Sequence, residues 1–219
     1  MKPYLDKTLS KVDKKVQNLE LEVLRKALSD GTLLVCGAKL WNALHSSEWK
    51  HREAAALAFM EFISAPLKSK YVGKTKKLFL ASMEIARVAC SDKLLQIYFI
   101  GLKILTLAMS PPICGPEIPA KVINQQVRYF IPLLIAKIEE LNFRAKDLSL
   151  NTLISLFRHP SVDIRLLIEG IMDITQEEKG FKGPDKVEWR RIHSRLEILK
   201  HIVTEFGVNE RAWDWRIVY

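Results

Sequence analysis

Several common features are scarce in this 219-residue chain, and their scarcity narrows the possible function classes. Only three cysteines occur, Cys36, Cys90 and Cys114, and they lie far apart with no Cys-x-x-Cys pair. An odd and scattered set fits reduced thiols in the cytosol better than a disulfide framework, and it lacks the ligand spacing of a zinc site. The most apolar run, Leu94–Met109, is short for a bilayer span and contains Lys103, so it predicts a buried helix.

Catalytic and cofactor motifs are equally scarce. The five histidines form no His-Glu-x-x-His motif, and the chain has neither a P-loop nor a Gly-x-Gly-x-x-Gly fingerprint. No serine or cysteine occupies a recognisable nucleophile motif, and the polar N-terminus does not resemble a signal peptide. We therefore expect no enzyme and no catalytic residue, and also no metal, cofactor, small-molecule substrate or membrane partner.

The chain does contain apolar residues at helical spacing, whereas the sustained alternation that marks strands is nearly absent. The i, i+3, i+4, i+7 pattern recurs at residues 55–62, 150–157, 164–171 and 192–206. These stripes and the proline and glycine breaks between them predict an all-α fold. Helices are expected at 14–29, 33–46, 50–63, 72–90, 93–109, 120–140, 143–158, 161–175 and 188–206.

The predicted helices form pairs, and the pairs repeat. In each pair the second helix follows a turn or loop, and these second helices start 43 to 50 residues apart, near Lys50, Lys93, Phe143 and Glu188. HEAT and armadillo hairpins repeat about every 40–47 residues. Because one hairpin cannot bury its own apolar face, neighbouring hairpins stack. We therefore expect an α-solenoid of about four HEAT-like hairpins over residues 31–219, with a terminal fragment, after an N-terminal extension (1–30) that holds a packing helix.

The turns inside the hairpins carry the candidate binding residues. In an α-solenoid these turns emerge on one edge and the links between hairpins on the other. Tryptophan and arginine are over-represented at binding hot spots, and the net charge of +9 indicates an acidic partner. The candidates are Trp49, Lys50, Arg52, Lys93, Asn142, Arg144, Lys146, Lys182, Lys186 and Arg190. Each has a structural alternative: the tryptophan as a packing plug, the cations as solvated side chains and Asn142 as a helix cap.

Three stretches resemble a known family. Glu48–Phe59, EWKHREAAALAF, resembles the first repeat of TOG domains, the tubulin-binding HEAT arrays of microtubule regulators. In those repeats a tryptophan in the first turn precedes a helix that opens with Arg-Glu-Ala. Phe143–Arg165 is similar to their later repeats, and Arg190–Gly207 is most similar to the TOG domain of a centrosomal protein of the ciliary tip. The resemblance covers Leu33–Gly207.

This resemblance implies that the turn edge binds the side of an αβ-tubulin dimer, in the cytoplasm, at the cytoskeleton, cilium or centrosome. Trp49 would pack on β-tubulin with Lys93 beside it. Cations of the later turns would reach the acidic tubulin surface, namely Arg144, Lys146, and Lys182 or Lys186. The aromatic anchor would be desolvated, while the cations would speed encounter and fix orientation. TOG arrays usually have six repeats, so this domain is expected to lack its last ones.

Two other functions stay open. A HEAT-repeat DNA-binding protein or alkylated-base DNA glycosylase is also basic and all-helical, and the basic run Lys68–Lys77 could contact phosphates. Nucleic acid is the less favoured partner because this run also fits a solvated link, and no Trp-Asp pair lies inside a predicted inner helix. A generic protein-interaction scaffold is the third possibility. Tubulin binding predicts sensitivity to substitution at Trp49 and Lys182, DNA binding predicts it in the basic run, and a scaffold predicts neither.

Overall fold

The computed structural model describes residues 40–65, 74–172 and 186–207, and for 172 and 186–188 it describes the backbone alone. Within these ranges the chain forms helices joined by turns and has no strand, as the sequence predicts. After a helical segment at 40–44, the helices are α1 (Trp49–Ser64), α2 (Thr75–Cys90), α3 (Leu95–Ala108), α4 (Ala120–Arg128), α5 (Phe130–Ile138), α6 (Phe143–Phe157), α7 (Arg165–Met172) and α8 (Lys186–Phe206). The predicted extension 1–30, the helix at 14–29, Cys36 and the terminal fragment lie outside the described residues.

The chain divides into two compact units, and the first comprises Met1–Gly115. Here α2 and α3 form a helical hairpin and pack along each other, and α1 packs on α3. Gly101 permits the close approach within the hairpin, because a Cβ atom there would lie 2.8 Å from the backbone nitrogen of Cys90. Phe59 and Phe79 are fully buried in the core of this unit. Second helices of neighbouring hairpins, α1 and α3, are therefore stacked on each other.

The second unit, Pro116–Tyr219, repeats this packing. Helices α5 and α6 form the hairpin, α7 packs on α5, and α8 packs on α6. First helices thus contact first helices and second helices contact second helices, which is the stacking that a hairpin repeat requires. Gly170 of α7 lies directly against Ile131 of α5, where a Cβ atom would collide with the isoleucine side chain.

One predicted helix is wrong in detail. The sequence pattern predicts a single helix over 120–140, but the structure has two helices, α4 and α5, that meet at Tyr129. Pro132 gives the physical reason. Proline has no backbone N–H to donate four residues back, and its ring clashes with the carbonyl there, which belongs to Arg128, the last residue of α4.

The link between α6 and α7 is held by a polar side chain. Asn124 of α4 donates from Nδ2 to the Ser161 carbonyl at 3.0 Å and accepts from the Asp163 N–H at 2.8 Å. The Asp163 carboxylate in turn accepts the Arg165 N–H at 3.0 Å. These bonds hold residues 161–164 outside the helix, so α7 begins at Arg165 rather than at the predicted residue 161.

Candidate functional site

The first within-hairpin turn presents a tryptophan to solvent. Trp49 is the first residue of α1, directly after the turn that follows the helical segment 40–44, and 38% of its surface is exposed. The rest of the residue is covered by the protein. Trp49 therefore has exposed surface that a partner could cover, while its contact with a partner stays a prediction. Lys50, the next residue, is half-buried.

Arg52 is engaged inside the protein. Its Nε and Nη2 atoms donate to the two carboxylate oxygens of Asp92 at 2.6 and 3.2 Å. Its Nη1 atom donates to the backbone carbonyls of Ser46 and Ser47 at 2.9 and 3.1 Å. Since the two serines lie in the first turn and Asp92 lies in the second, Arg52 joins the two turns. The structure thus gives this predicted contact residue a positioning role.

The pKa of Asp92 agrees with an ion pair that joins the two turns. Burial by itself would raise the pKa of Asp92, but the hydrogen bonds from Arg52 and from the Leu94 N–H, with the charge of Arg52, lower it overall. The same hydrogen bond to Asp92 raises the pKa of Arg52. The Leu94 N–H donates to Asp92 Oδ1 at 2.9 Å, which fixes the backbone of the second turn. Lys93 and Leu94 of that turn are exposed.

Two predicted contacts of the third turn also have internal roles. Asn142 is the N-cap of α6, where its side-chain oxygen accepts the Ala145 N–H at 2.9 Å. Lys146 forms an ion pair with Glu197 of α8, Nζ to Oε2 at 2.6 Å, and the hydrogen bond from Lys146 lowers the pKa of Glu197. Asn142 therefore starts α6 and Lys146 joins α6 to α8.

The side chains of the third turn that do face solvent include two that the sequence analysis missed. Leu141 and Phe143, on either side of Asn142, are exposed, as is Arg144. Phe143 lies seven residues before Leu150, in phase with the buried stripe of α6, so helical periodicity assigns it to the core. The signal that could have found Leu141 is its position in a turn, where no helix face requires an apolar residue.

The fourth turn is only partly described. Lys182 lies outside the described residues, and Lys186 begins α8 but its side chain is not described. Arg190 is half-buried on the first turns of α8, next to an exposed tryptophan, Trp189. Further along, Arg195 donates to Glu139 at 3.1 Å and so ties α8 to the end of α5. The predicted roles of Lys182, Lys186 and Arg190 stay predictions.

The structure describes part of the basic run on which the nucleic-acid alternative depends. Lys74, Lys76 and Lys77 are exposed at the start of α2, and the preceding part of the basic run is not described. In the part of the chain that the structure describes, no group of three or more His, Cys, Asp and Glu side chains could hold a metal ion. The same residues include no helix with the length and apolarity needed to span a membrane.

Comparison with known proteins gives one family and two similar structures. Residues 27–215 match the family described as centrosomal protein CEP104, TOG domain. A solved CEP104 TOG domain is 17% identical with a TM-score of 0.67, and the match covers 88% of this chain and 73% of that one. The TOG domain of human Cep104 is 16% identical with a TM-score of 0.66, over 94% and 73% of the two chains. Comparison with curated protein sequences gives no match. The structural likeness confirms the predicted all-α, HEAT-like solenoid.

Proposed function

Because this chain belongs to the TOG-domain family of the centrosomal protein CEP104, we propose that it binds the αβ-tubulin dimer within a microtubule-associated protein. The family match agrees with the TOG resemblance of the sequence. The proposed place of action is the cytoskeleton, at a cilium or centrosome. The proposed role is binding without catalysis, and docking uses the turns inside the helical hairpins.

The observation that carries the docking proposal is the exposed tryptophan at the start of α1. A tryptophan with 38% of its surface in contact with water can lose that contact on binding, which makes it a candidate hot spot. Lys93, exposed in the second turn, supplies a cation for an acidic partner. Arg52 and Asp92 hold the two turns together, so the anchor and the cation are kept in a fixed arrangement before the partner arrives.

The test is co-migration with purified αβ-tubulin on size exclusion at low salt. Wild type is expected to shift the tubulin peak, while Trp49→Ala and Lys93→Glu should reduce or abolish the shift. The matched control is Trp41→Ala. Trp41 lies on the helical segment before the turn, is 40% exposed, and contacts the His45 ring in a tilted arrangement with centroids 4.3 Å apart. Since Trp49→Ala also removes a covered part of the side chain, thermal unfolding is measured for every variant. Lys93→Glu alters an exposed side chain and leaves the core intact.

A second variant tests the nucleic-acid alternative. The triple variant with Lys74, Lys76 and Lys77 changed to Glu removes the exposed lysines at the start of α2 and should leave tubulin binding unchanged. Loss of binding in this variant, with full binding by Trp49→Ala, would place the contact on the basic run. A wild-type protein that fails to shift tubulin, and instead binds duplex DNA through these lysines, would refute the tubulin proposal.

A further inference from the structure

Helix α8 carries a row of exposed apolar side chains along one face. Trp189, Ile192, Leu196 and Val203 are 40–60% exposed, and the half-buried Leu199 completes their spacing of three and four residues. These five residues are called the α8 stripe. Every other helix in the described ranges exposes at most two large apolar side chains. Such a row is unfavourable in water unless another element covers it.

The α8 stripe lies on the opposite side of the helix from the face that packs inside the domain. Ser194, Ile198 and Ile202 are buried, and the Ser194 hydroxyl donates to the Ile138 carbonyl at 3.4 Å. At about 100° per residue, Leu196 lies about 160° around the helix from Ile198. In a stack of hairpins, the face turned away from the preceding hairpin is the one on which the following element packs. The stripe is therefore placed to be covered by residues that come after α8.

The residues that follow α8 have the composition and the reach of such a cover. Residues 208–219 have the sequence VNERAWDWRIVY, which includes Trp213, Trp215 and the apolar run Ile217–Tyr219. The stripe is about 21 Å long at 1.5 Å per residue, and twelve residues reach about 18 Å as a helix and about 40 Å when extended. The family match continues to residue 215, so both tryptophans belong to the matched domain.

The backbone at the end of α8 delivers the chain to the stripe. Gly207 has a φ of 71°, in the left-handed region, and its N–H donates to the carbonyl of Val203, the last residue of the stripe, at 3.0 Å. This geometry ends a helix and turns the chain away from the helix axis. A segment tethered at this point has an effective concentration in the millimolar range at the stripe. It therefore has an advantage over a second copy of the chain at micromolar concentration.

The charges beside the stripe favour the same occupant. Lys200 is exposed next to Leu196 and Val203, and residues 208–219 contain the carboxylates of Glu210 and Asp214. A second copy would instead bring a like-charged border against Lys200. We propose that residues 208–219 pack on the α8 stripe, with Trp213 and Trp215 as the main apolar contacts. This inference does not rest on tubulin binding.

The test is photo-cross-linking of the full chain with p-benzoylphenylalanine in place of Leu196. Trypsin cleaves after Arg195, Lys200, Arg211 and Arg216, so the probe and both tryptophans fall in the separate peptides 196–200 and 212–216. A cross-link between these two peptides, within one chain, is the expected result. The matched control places the probe at Tyr129, which is 53% exposed in the same compact unit but not on α8, and should give no such link.

A stability cycle gives a second readout. Leu196→Glu should lower the melting temperature by about 4 °C or more in the wild-type background, because it sets a charge against an apolar cover. In the background Trp213→Ser/Trp215→Ser, which lacks the main contacts of the cover, the same change should lower it by less than half as much. Tyr129→Glu is the control, and its effect should be equal in both backgrounds.

The outcomes distinguish the possible occupants. Mixing the probe-bearing chain with ¹⁵N-labelled wild type identifies links between chains, and a link from the probe to a labelled chain would show that a second copy covers the stripe and would overturn the proposal. The absence of any link to residues 208–219 would also overturn it. Equal effects of Leu196→Glu in the two backgrounds would do the same, because the stripe and the two tryptophans would then be independent.

Discussion

The ion pair between Arg52 and Asp92, which joins the first two turns, gives a prediction for both stability and binding. The Arg52 and Asp92 side chains are 20% and 9% exposed, and two charge-assisted hydrogen bonds join them. Each such bond contributes about 1.5–3 kcal/mol net, and leaving a buried charge unpaired costs about 3–5 kcal/mol. Because both side chains keep some contact with water, we expect Asp92→Asn to lower the free energy of unfolding by about 2 kcal/mol. In a protein of this size that loss lowers the melting temperature by about 4–8 °C.

The assay is a double-mutant cycle with Asp92→Asn, Arg52→Gln and the combination, followed by urea and thermal unfolding. Arg52→Gln should be the more destabilising single change, because it also removes the hydrogen bonds to the Ser46 and Ser47 carbonyls. The coupling energy of the pair should be about 1–3 kcal/mol. A coupling energy below about 0.5 kcal/mol, the limit of additivity for independent sites, would show that the two turns are not braced by this pair.

The pH dependence follows from the lowered pKa of Asp92. A carboxyl whose folded-state pKa is depressed contributes stability above its ordinary pKa, about 3.9, and loses it as the pH falls through the lowered value. The coupling energy should therefore be constant from about pH 5 to pH 8 and should fade only in acid.

Asp92→Asn should also weaken tubulin binding, although Asp92 has no proposed contact, because the first two turns would lose their fixed arrangement.

Two further predictions concern charged side chains that the structure places inside the domain. Lys146→Ala should lower the free energy of unfolding by about 1 kcal/mol, since it breaks a half-buried ion pair with Glu197, and it should leave tubulin affinity within about twofold of wild type. A large loss of affinity without loss of stability would show that Lys146 contacts tubulin directly, as the sequence analysis predicts. Burial raises the pKa of Glu53, so its ionisation opposes folding, and stability falls as the pH rises above its ordinary value. The stability of Glu53→Gln relative to wild type should accordingly increase between about pH 4 and pH 7 in urea unfolding, and a pH-independent difference would contradict this.

The helices and their pairing could be predicted from the sequence because their signals are local. The apolar stripes span only a few helical turns each. The predicted helices at 50–63 and 143–158 begin and end within one residue of α1 and α6. The break at Tyr129 was missed although its cause, Pro132, is also local. Periodicity continues through the break, because Val127, Ile131 and Leu134 are buried on both sides of it, and a stripe alone does not report the missing hydrogen bond.

The candidate site could be predicted only in part, because ion pairs between distant residues do not show in a single sequence. Arg52 and Lys146 are cations in or next to turns, which is the pattern of a binding surface. Their partners are a residue 40 positions away, Asp92, and a residue on another hairpin, Glu197. Conversely, Phe143 has the spacing of a core residue, and only the position of α6 in the fold shows that its ring faces solvent.

The net charge of +9 is therefore a weak guide to the binding surface of this protein. Ion pairs inside the domain engage part of the positive charge, as Arg52, Lys146 and Arg195 show in the described residues. Lys93 and Arg144 are the exposed cations of the second and third turns, each next to an exposed apolar side chain. At an ionic strength of 0.1 M, salt largely screens the attraction of such exposed cations beyond about 10 Å, whereas contact between apolar side chains is not screened. If the within-hairpin turns bind an acidic partner as proposed, the cation of each turn should speed the approach of that partner and the apolar side chain should stabilise the complex.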